Sequence, residues 1–196
     1  MAIIIKKGGS TSLDVLGENL RNLSLVLSWT ERKSSDEEFD LDLSVIMAGA
    51  GTNEYPEGKS FEDRDVIYYN GFNRSICNSI HHHGDEKKGG EERIDINLET
   101  IPDRYIKLVA VATIYEAEER KQNFGQVLNG CIRLINRDNN KEIQFDLSED
   151  SNTATKNTLV FSEIYKYQDQ WKYKSVGRGI NGGLKEFVTC FGLKSR

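Results

Sequence analysis

The chain has few cysteines and prolines and no long apolar run. Its three cysteines, Cys77, Cys131 and Cys190, are far apart and form no CxxC pair, which indicates reduced thiols rather than a disulfide framework. No segment approaches the roughly 18 apolar residues of a membrane-spanning helix. The opening MAIIIKKGG becomes charged too early for a signal peptide. We therefore expect a cytoplasmic protein that is not transmembrane.

Positive charge is also in short supply. The 196 residues include 26 Lys and Arg against 31 Asp and Glu, a formal net charge of −5. Because the phosphate backbone favours a cationic surface, this balance excludes a nucleic-acid binder of the usual kind. The length suits one folded unit with a real core, so we predict a single domain over residues 1–196.

What the sequence does contain is short, alternating strands. At residues 20–29, Leu23, Leu25, Leu27 and Trp29 fall on one face at period two. In FDLDLSVIM, residues 39–47, the apolar side chains alternate with Asp40, Asp42 and Ser44. The run 105–115 is almost entirely apolar, which predicts a central strand buried on both faces. Polar turns inside 130–147 and 159–176 predict two hairpins.

One helix is predicted near the end of the chain. Leu184, Val188 and Phe191 are spaced to share a helical face, and Gly192 is suited to the C-cap. Turn signals elsewhere recur between strands with little helix. The fold class predicted is all-β, a β-sandwich of two mainly antiparallel sheets with one or two short helices, including a C-terminal helix.

The densest polar stretch is HHHGDEKKGGEE at residues 81–92, which its glycines identify as a loop. Carboxylates spaced around glycines suit calcium, which takes six to eight oxygen ligands from side chains and sharply turning backbone. Asp40 and Asp42 lie two residues apart on a strand, so they share a face that can meet this loop. The alternative is a polar loop of separate solvated charges. No EF-hand spacing is present.

Other motifs have plainer interpretations. His81 and His83 can share a strand face, but a transition-metal site there needs a partner from elsewhere, so we expect incidental metal affinity. GRGING at 177–182 matches GxGxxG, yet the residues after it supply neither the acidic residue nor the second strand of a dinucleotide site, so we predict a strand-to-helix turn. Asp63 and Asp65 can form an acid pair, but a solvated turn is the plainer interpretation and the one that we predict. Strand patterns place four aromatic residues in the core, namely Trp29, Tyr68, Tyr69 and Trp171.

Taken together, the motifs resemble the TerD family of tellurite-resistance and stress proteins. The matching pieces run in order over nearly the whole chain: LVLSW at 25–29, FDLDLSV at 39–45, YYN at 68–70, HHGD at 82–85, INLETIP at 96–102, FGQVLN at 124–129, FDLSED at 145–150 and WKYKSVGRGINGGL at 171–184. This resemblance implies a calcium-binding β-sandwich with no demonstrated enzymatic activity and a bacterial cytosolic stress role. It also implies other Ter-type stress proteins as partners, at the inner membrane surface.

The resemblance implies these calcium ligands: Asp40, Asp42, Asn70, Asp85, Gly89, Glu91 and Glu92. The loop departs from the family pattern because roughly four residues and one of the paired aspartates are missing. Lys87 and Lys88 also add positive charge beside the ion position, which disfavours a cation. We therefore expect a partly degenerate calcium site of reduced affinity. The alternative is a metal-independent protein-interaction module of the same fold.

Overall fold

The computed structural model describes residues 2–30, 39–84, 90–147 and 153–194. Within these ranges the chain forms strands and one short α-helix, with bounds in chain order of β1 Ala2–Ile4, β2 Ser10–Ser12, β3 Leu23–Thr30, β4 Leu41–Ala48, β5 Val66–Ile67, β6 Ile80–His82, β7 Glu91–Ile96, β8 Lys107–Ile114, β9 Leu128–Asn136, β10 Lys141–Asp146, β11 Thr158–Tyr167, β12 Gln170–Ile180 and α1 Leu184–Phe187. Short 3-10 turns lie between them, at Leu13–Leu16, Asp63–Asp65, Leu98–Thr100, Phe124–Gln126 and Val188–Phe191.

The strands form two six-stranded sheets. The first sheet has the order β1-β10-β9-β3-β7-β6 and the second has the order β2-β12-β11-β8-β4-β5. β1 pairs with β10 in parallel, and the neighbouring pairs β9–β10, β3–β7 and β4–β8 are antiparallel. The predicted sandwich of two mainly antiparallel sheets is confirmed. Both predicted hairpins are present as β9–β10 and β11–β12.

The main core fills the space between the sheets, and period-two alternation builds it. β3 contributes Leu23, Leu25, Leu27 and Trp29, and β4 contributes Leu41, Leu43, Val45 and Met47. The predicted inward rows of both strands are therefore confirmed. Trp29 also donates its indole N–H to the carbonyl of Phe39 at 3.3 Å, which satisfies the ring's polar atom inside the core.

β8 is a central strand that is buried on both faces, as its apolar run predicts. Leu108, Ala110, Ala112 and Ile114 face the space between the sheets. Val109 and Val111 face the other way, into a second and smaller apolar cluster on the outer face of the second sheet. A strand covered on both sides carries apolar residues on both faces, which explains why this run does not alternate.

The C-terminal segment covers that outer face. α1 passes into the 3-10 turn Val188–Phe191, and the segment ends at Gly192, whose φ of 79° is a left-handed cap. Phe187, Val188 and Phe191 pack onto the second cluster. The predicted helix and its glycine cap are confirmed. None of the helices in the described ranges has the length and apolar character needed to cross a membrane.

Two sequence predictions are wrong in their bounds. The stretch 81–92 is not a loop throughout, because His81 pairs with Asp95 in β6–β7 and Glu91 and Glu92 belong to β7. At both ends of that stretch the residues pair with a neighbouring strand, even though the sequence between them is rich in glycine. GRGING is not all turn either, since Gly177–Ile180 continues β12.

Candidate functional site

A cavity of about 310 Å³ lies between the outer face of the second sheet and the C-terminal segment. Its volume is at the lower end of small-molecule sites, which span about 300–1,000 Å³. The lining combines the outer row of β4, the chain after β5 and the C-terminal segment. Its residues are Asp42, Ser44, Asp63, Val66, Tyr68, Tyr69, Asn70, Phe72, Thr113, Gly183, Leu184, Lys185, Glu186, Val188, Leu193 and Lys194.

β4 delivers the polar floor of this cavity. Since successive side chains of a strand point to opposite faces, the residues that alternate with the core row all point outward. Asp42 and Ser44 line the cavity while Leu43 lies in the core between the sheets. Asp40 precedes the strand, and its carbonyl accepts the amide of Tyr115 at 2.9 Å.

A tight turn brings Asn70 to the same cavity. The amide of Tyr68 donates to the carbonyl of Phe72 at 3.1 Å, which closes the chain between them. Gly71 packs closely against Tyr68, since a Cβ there would lie 2.1 Å from the Tyr68 ring and would force the ring to move. The structure therefore brings together Asp42 and Asn70, two predicted calcium ligands that are distant in sequence.

Glu92 lies on the opposite side of β4 from Asp42, between the two sheets. Its carboxylate accepts the amide of Leu43, and His82 contacts the carbonyl of the same residue through Nε2 at 3.0 Å. The amide of Gly84 donates to His82 Nδ1 at 3.0 Å. Because Nδ1 is the acceptor, the neutral ring carries its proton on Nε2 and donates it to Leu43.

The side chains of Glu92 and His82 take the place of a neighbouring strand at Leu43. β5 pairs with β4 only at Val45 and Ile46, so the backbone of Leu43 lies beyond its reach. Buried backbone N–H and C=O groups need partners, and here the other sheet supplies them. Glu92 and His82 therefore fix β4 at the residue next to Asp42. We name this arrangement the β4 clamp.

Glu91 lies on the other face of β7. Its carboxylate is exposed and pairs with Arg133, whereas the carboxylate of Glu92 is buried in the clamp. The two predicted ligands therefore do not converge. Asp85 and Gly89 lie outside the described residues. Within the described ranges, no group of three or more His, Cys, Asp or Glu residues is arranged to hold a metal ion.

His81 and His83 belong to a separate surface of the first sheet. The rings of His81 and His83 lie 4.5 Å apart, and His83 Nε2 is 2.7 Å from Asp95 Oδ2. Arg93 and Arg137 each place a guanidinium nitrogen 3.3 Å from the same carboxylate. This positive surrounding disfavours a bound cation.

The pKa of Asp95 reflects these neighbours. Burial works to raise it, but the hydrogen bonds from Ser24 and His83 and the charges of Arg137 and Arg93 outweigh burial, so the pKa of Asp95 is lowered. Ser24 donates to Asp95 Oδ1 at 2.7 Å. The carboxylate is therefore held in its charged form within the sheet surface.

Asp65 is a buried anchor that the sequence analysis misplaced in a solvated turn. It accepts the amides of Phe61 at 2.7 Å and Glu62 at 3.1 Å and the phenol of Tyr105 at 2.6 Å. Burial raises its pKa even though these three donors work to lower it. Arg104 donates to Tyr105 Oη at 2.7 Å and extends the network to the surface.

Several cavity residues were missed by the sequence analysis. Tyr68 and Tyr69 were predicted as core. Tyr68 does pack against the second apolar cluster, and both residues also line the cavity. Ser44 and Thr113 were not singled out as site residues. Ser44 has a usable signal, since it follows Asp42 at the outward period of β4. Thr113 has none, because its run looks uniformly buried, and only the cross-strand pairing of Thr113 with Asp42 reveals its position.

Comparisons with known proteins agree with this architecture. The TerD domain family matches residues 1–191. Tellurium resistance protein TerD of Serratia marcescens is 34% identical over 200 residues, covering 100% of both chains. General stress protein 16U of Bacillus subtilis (strain 168) is 34% identical over 199 residues, covering 99% of both. A solved homologue of telluride resistance protein (TerD) from Streptomyces coelicolor A3(2) superposes with a TM-score of 0.66 at 16% identity, covering 89% of this chain and 99% of that one.

Proposed function

The chain belongs to the TerD family of tellurium-resistance and stress proteins, and from that premise we propose that it is a cytoplasmic, non-enzymatic stress-response protein that binds calcium. The observation that carries the calcium proposal is the shared cavity of Asp42 and Asn70, which brings together two oxygen-bearing side chains from separate elements. Calcium prefers oxygen ligands of this kind.

The residues present fit a calcium ion in part. Asp42 and Asp40, two residues before it, would supply carboxylates, and Asn70 would supply an oxygen from the cavity wall. Asp85 and Gly89 would complete the ligands from the loop that joins β6 to β7. When bound, calcium would supply the positive charge that lets several carboxylates share one place. The shortened loop and its two lysines support reduced affinity.

Glu92 and Glu91 have other roles in this proposal. Glu92 holds Leu43 and thereby sets the position of Asp42, so it supports the ion site from behind the strand. Glu91 pairs with Arg133 on the far face of the first sheet. We therefore assign the ion to the cavity side of β4 rather than to the clamp side.

The non-enzymatic assignment and the partners rest on the sequence. The chain has no nucleophile–base motif, and its only histidines lie together at residues 81–83. Relatives carry resistance and stress names rather than enzyme names. We infer other Ter-type stress proteins as its partners, at the inner membrane surface, with calcium ordering the surface that they contact.

Thermal unfolding with and without calcium tests the ion site. The EDTA-stripped protein should melt at a higher temperature when calcium is added, because a ligand that binds only the native state stabilises it. Asp42→Asn should remove this increase. Asp103→Asn is the matched control, since Asp103 is fully exposed and pairs only with Lys166 among the described residues. An increase retained in Asp42→Asn would contradict the assignment.

A metal-independent interaction module is the second candidate function. The observation that favours it is the engagement of Glu91 with Arg133 and of Glu92 with Leu43, which leaves fewer acidic groups for an ion. On this account calcium leaves the melting temperature of the wild-type protein unchanged, while binding to a protein partner survives EDTA.

A further inference from the structure

The cavity has features that a calcium site does not require. Its walls are largely apolar, with Val66, Leu184, Val188 and Leu193 facing the polar floor. An ion site needs oxygens at close range and no apolar lining. A pocket with apolar walls and a few placed polar groups is typical of a site for a small organic molecule.

Ser44 marks the polar end of this pocket. The residue is 1% exposed, and its hydroxyl has no hydrogen-bond partner among the described residues. Buried hydroxyls are normally paired, because leaving one unpaired costs about 1–3 kcal/mol. Since Ser44 lines the cavity, a bound molecule with a polar end can supply the missing partner.

The charge and aromatic content indicate which molecule fits. The buried charge of the lining is the carboxylate of Asp42, with Asp63 half-buried beside the same space. Tyr68, Tyr69 and Phe72 are the aromatic residues of the lining. Carboxylates beside aromatic faces attract alkylated ammonium groups, which rings bind through their quadrupoles.

The remaining charged groups lie at the rim. Lys185, Glu186 and Lys194 are all exposed, so solvent screens them. One face of Phe72 is covered by the guanidinium of Arg64, 5.1 Å from the ring centroid. Tyr68 and Tyr69 are the other two aromatic residues of the lining.

We propose that this cavity binds a small organic cation with an alkylated ammonium headgroup and a short hydroxyl-bearing chain. The headgroup lies against Tyr68, Tyr69 and Asp42, and the hydroxyl pairs with Ser44. This site does not depend on the calcium proposal. The two ligands share Asp42, so calcium competes with the organic cation.

Choline and its uncharged isostere 3,3-dimethyl-1-butanol test the proposal as probes. Both are titrated by calorimetry into the full chain in EDTA at constant ionic strength. Choline should bind saturably and about tenfold more tightly than the isostere, because only choline carries the positive charge. Tetramethylammonium should bind more weakly than choline, since it lacks the hydroxyl that pairs with Ser44.

Variants locate the binding in the cavity. Tyr69→Leu should weaken choline binding about tenfold, and Ser44→Val should abolish the preference for choline over tetramethylammonium. Tyr167→Leu is the matched control, because Tyr167 is 52% exposed and lies outside the cavity lining. Thermal unfolding of each variant verifies that it is folded before titration.

The outcomes separate this proposal from the calcium one. Equal binding of choline and its isostere, or no choline binding by folded wild-type protein, overturns the cation site whatever the calcium titration gives. Choline binding that persists unchanged in Tyr69→Leu overturns the location. Calcium that weakens choline binding supports a shared Asp42, and its failure to compete overturns that sharing.

Discussion

Two buried aspartates near the β4–β5 edge show how differently the same side chain can be used. Asp65 is 1% exposed and accepts hydrogen bonds from Phe61, Glu62 and Tyr105. Asp42 is 8% exposed and lines a cavity. Two backbone amides and a phenol donate to the carboxylate of Asp65, whereas the carboxylate of Asp42 borders a cavity that a ligand can fill.

Burial of an acidic side chain therefore does not by itself mark a binding site. What separates the two is the neighbourhood: backbone donors and a phenol around Asp65, and a cavity with an unpaired hydroxyl at Ser44 beside Asp42. We therefore regard Asp65 as a structural anchor, whereas a ligand-binding role for Asp42 is our proposal.

The largest effect is expected at the anchor. Asp65→Ala should lower the free energy of unfolding by about 3 kcal/mol, because two amides and the buried phenol of Tyr105 lose their acceptor. Urea unfolding measures this loss, with the exposed Asp103→Ala as control. A loss no greater than that of the control would mean that Asp65 is not an anchor.

The β4 clamp should rank second. Glu92→Ala should lower the free energy of unfolding by about 2 kcal/mol, since the amide of Leu43 then stays buried without this acceptor. Hydrogen exchange at that amide should accelerate, and calcium affinity should fall because Asp42 is next in the strand. An unchanged exchange rate at Leu43 would show that the clamp does not hold β4.

Acid should act on Asp65 and Asp95 in opposite directions. The pKa of Asp95 is lowered, so its contribution is present above its unfolded pKa and is lost as pH falls through the folded pKa. The pKa of Asp65 is raised, so stability associated with it increases as pH falls through that higher value. Urea unfolding between pH 7 and about pH 3 should therefore show less acid loss in Asp95→Asn and more in Asp65→Asn. Parallel profiles would contradict the opposite shifts.

The smallest effect is expected at Glu91. Its carboxylate is exposed and pairs with Arg133, and surface ion pairs contribute about 0–1 kcal/mol. Glu91→Gln should therefore change stability by less than about 0.5 kcal/mol and leave calcium affinity unaltered. Loss of calcium binding in Glu91→Gln would return this residue to the ligand set.

The regular parts of the fold were predictable because local pattern and burial coincide there. The inward rows of β3 and β4 follow strict period two, and the run that forms β8 shows no alternation because both of its faces are covered. Gly192 predicted the end of the C-terminal segment because glycine readily adopts the left-handed conformation of a helix C-cap, which Gly192 has in the structure.

The rest depended on contacts between distant segments. Asp65 looks like a solvated acid until Tyr105, forty residues away, donates to it. Glu92 looks like a loop ligand until β7 pairing turns it towards Leu43. Tyr68 and Tyr69 follow a strand pattern, but β5 ends at Ile67, and the turn that follows carries both to the cavity. No local period encodes these long-range pairings.

Calorimetric titration of calcium into the EDTA-stripped protein, with Asp42→Asn and Glu91→Gln titrated alongside, tests whether calcium binds on the cavity side of β4. We expect saturable binding to the wild-type protein and to Glu91→Gln, and its loss in Asp42→Asn while that variant remains folded. No binding heat in the wild-type protein, or undiminished binding in Asp42→Asn, would contradict calcium binding on the cavity side of β4.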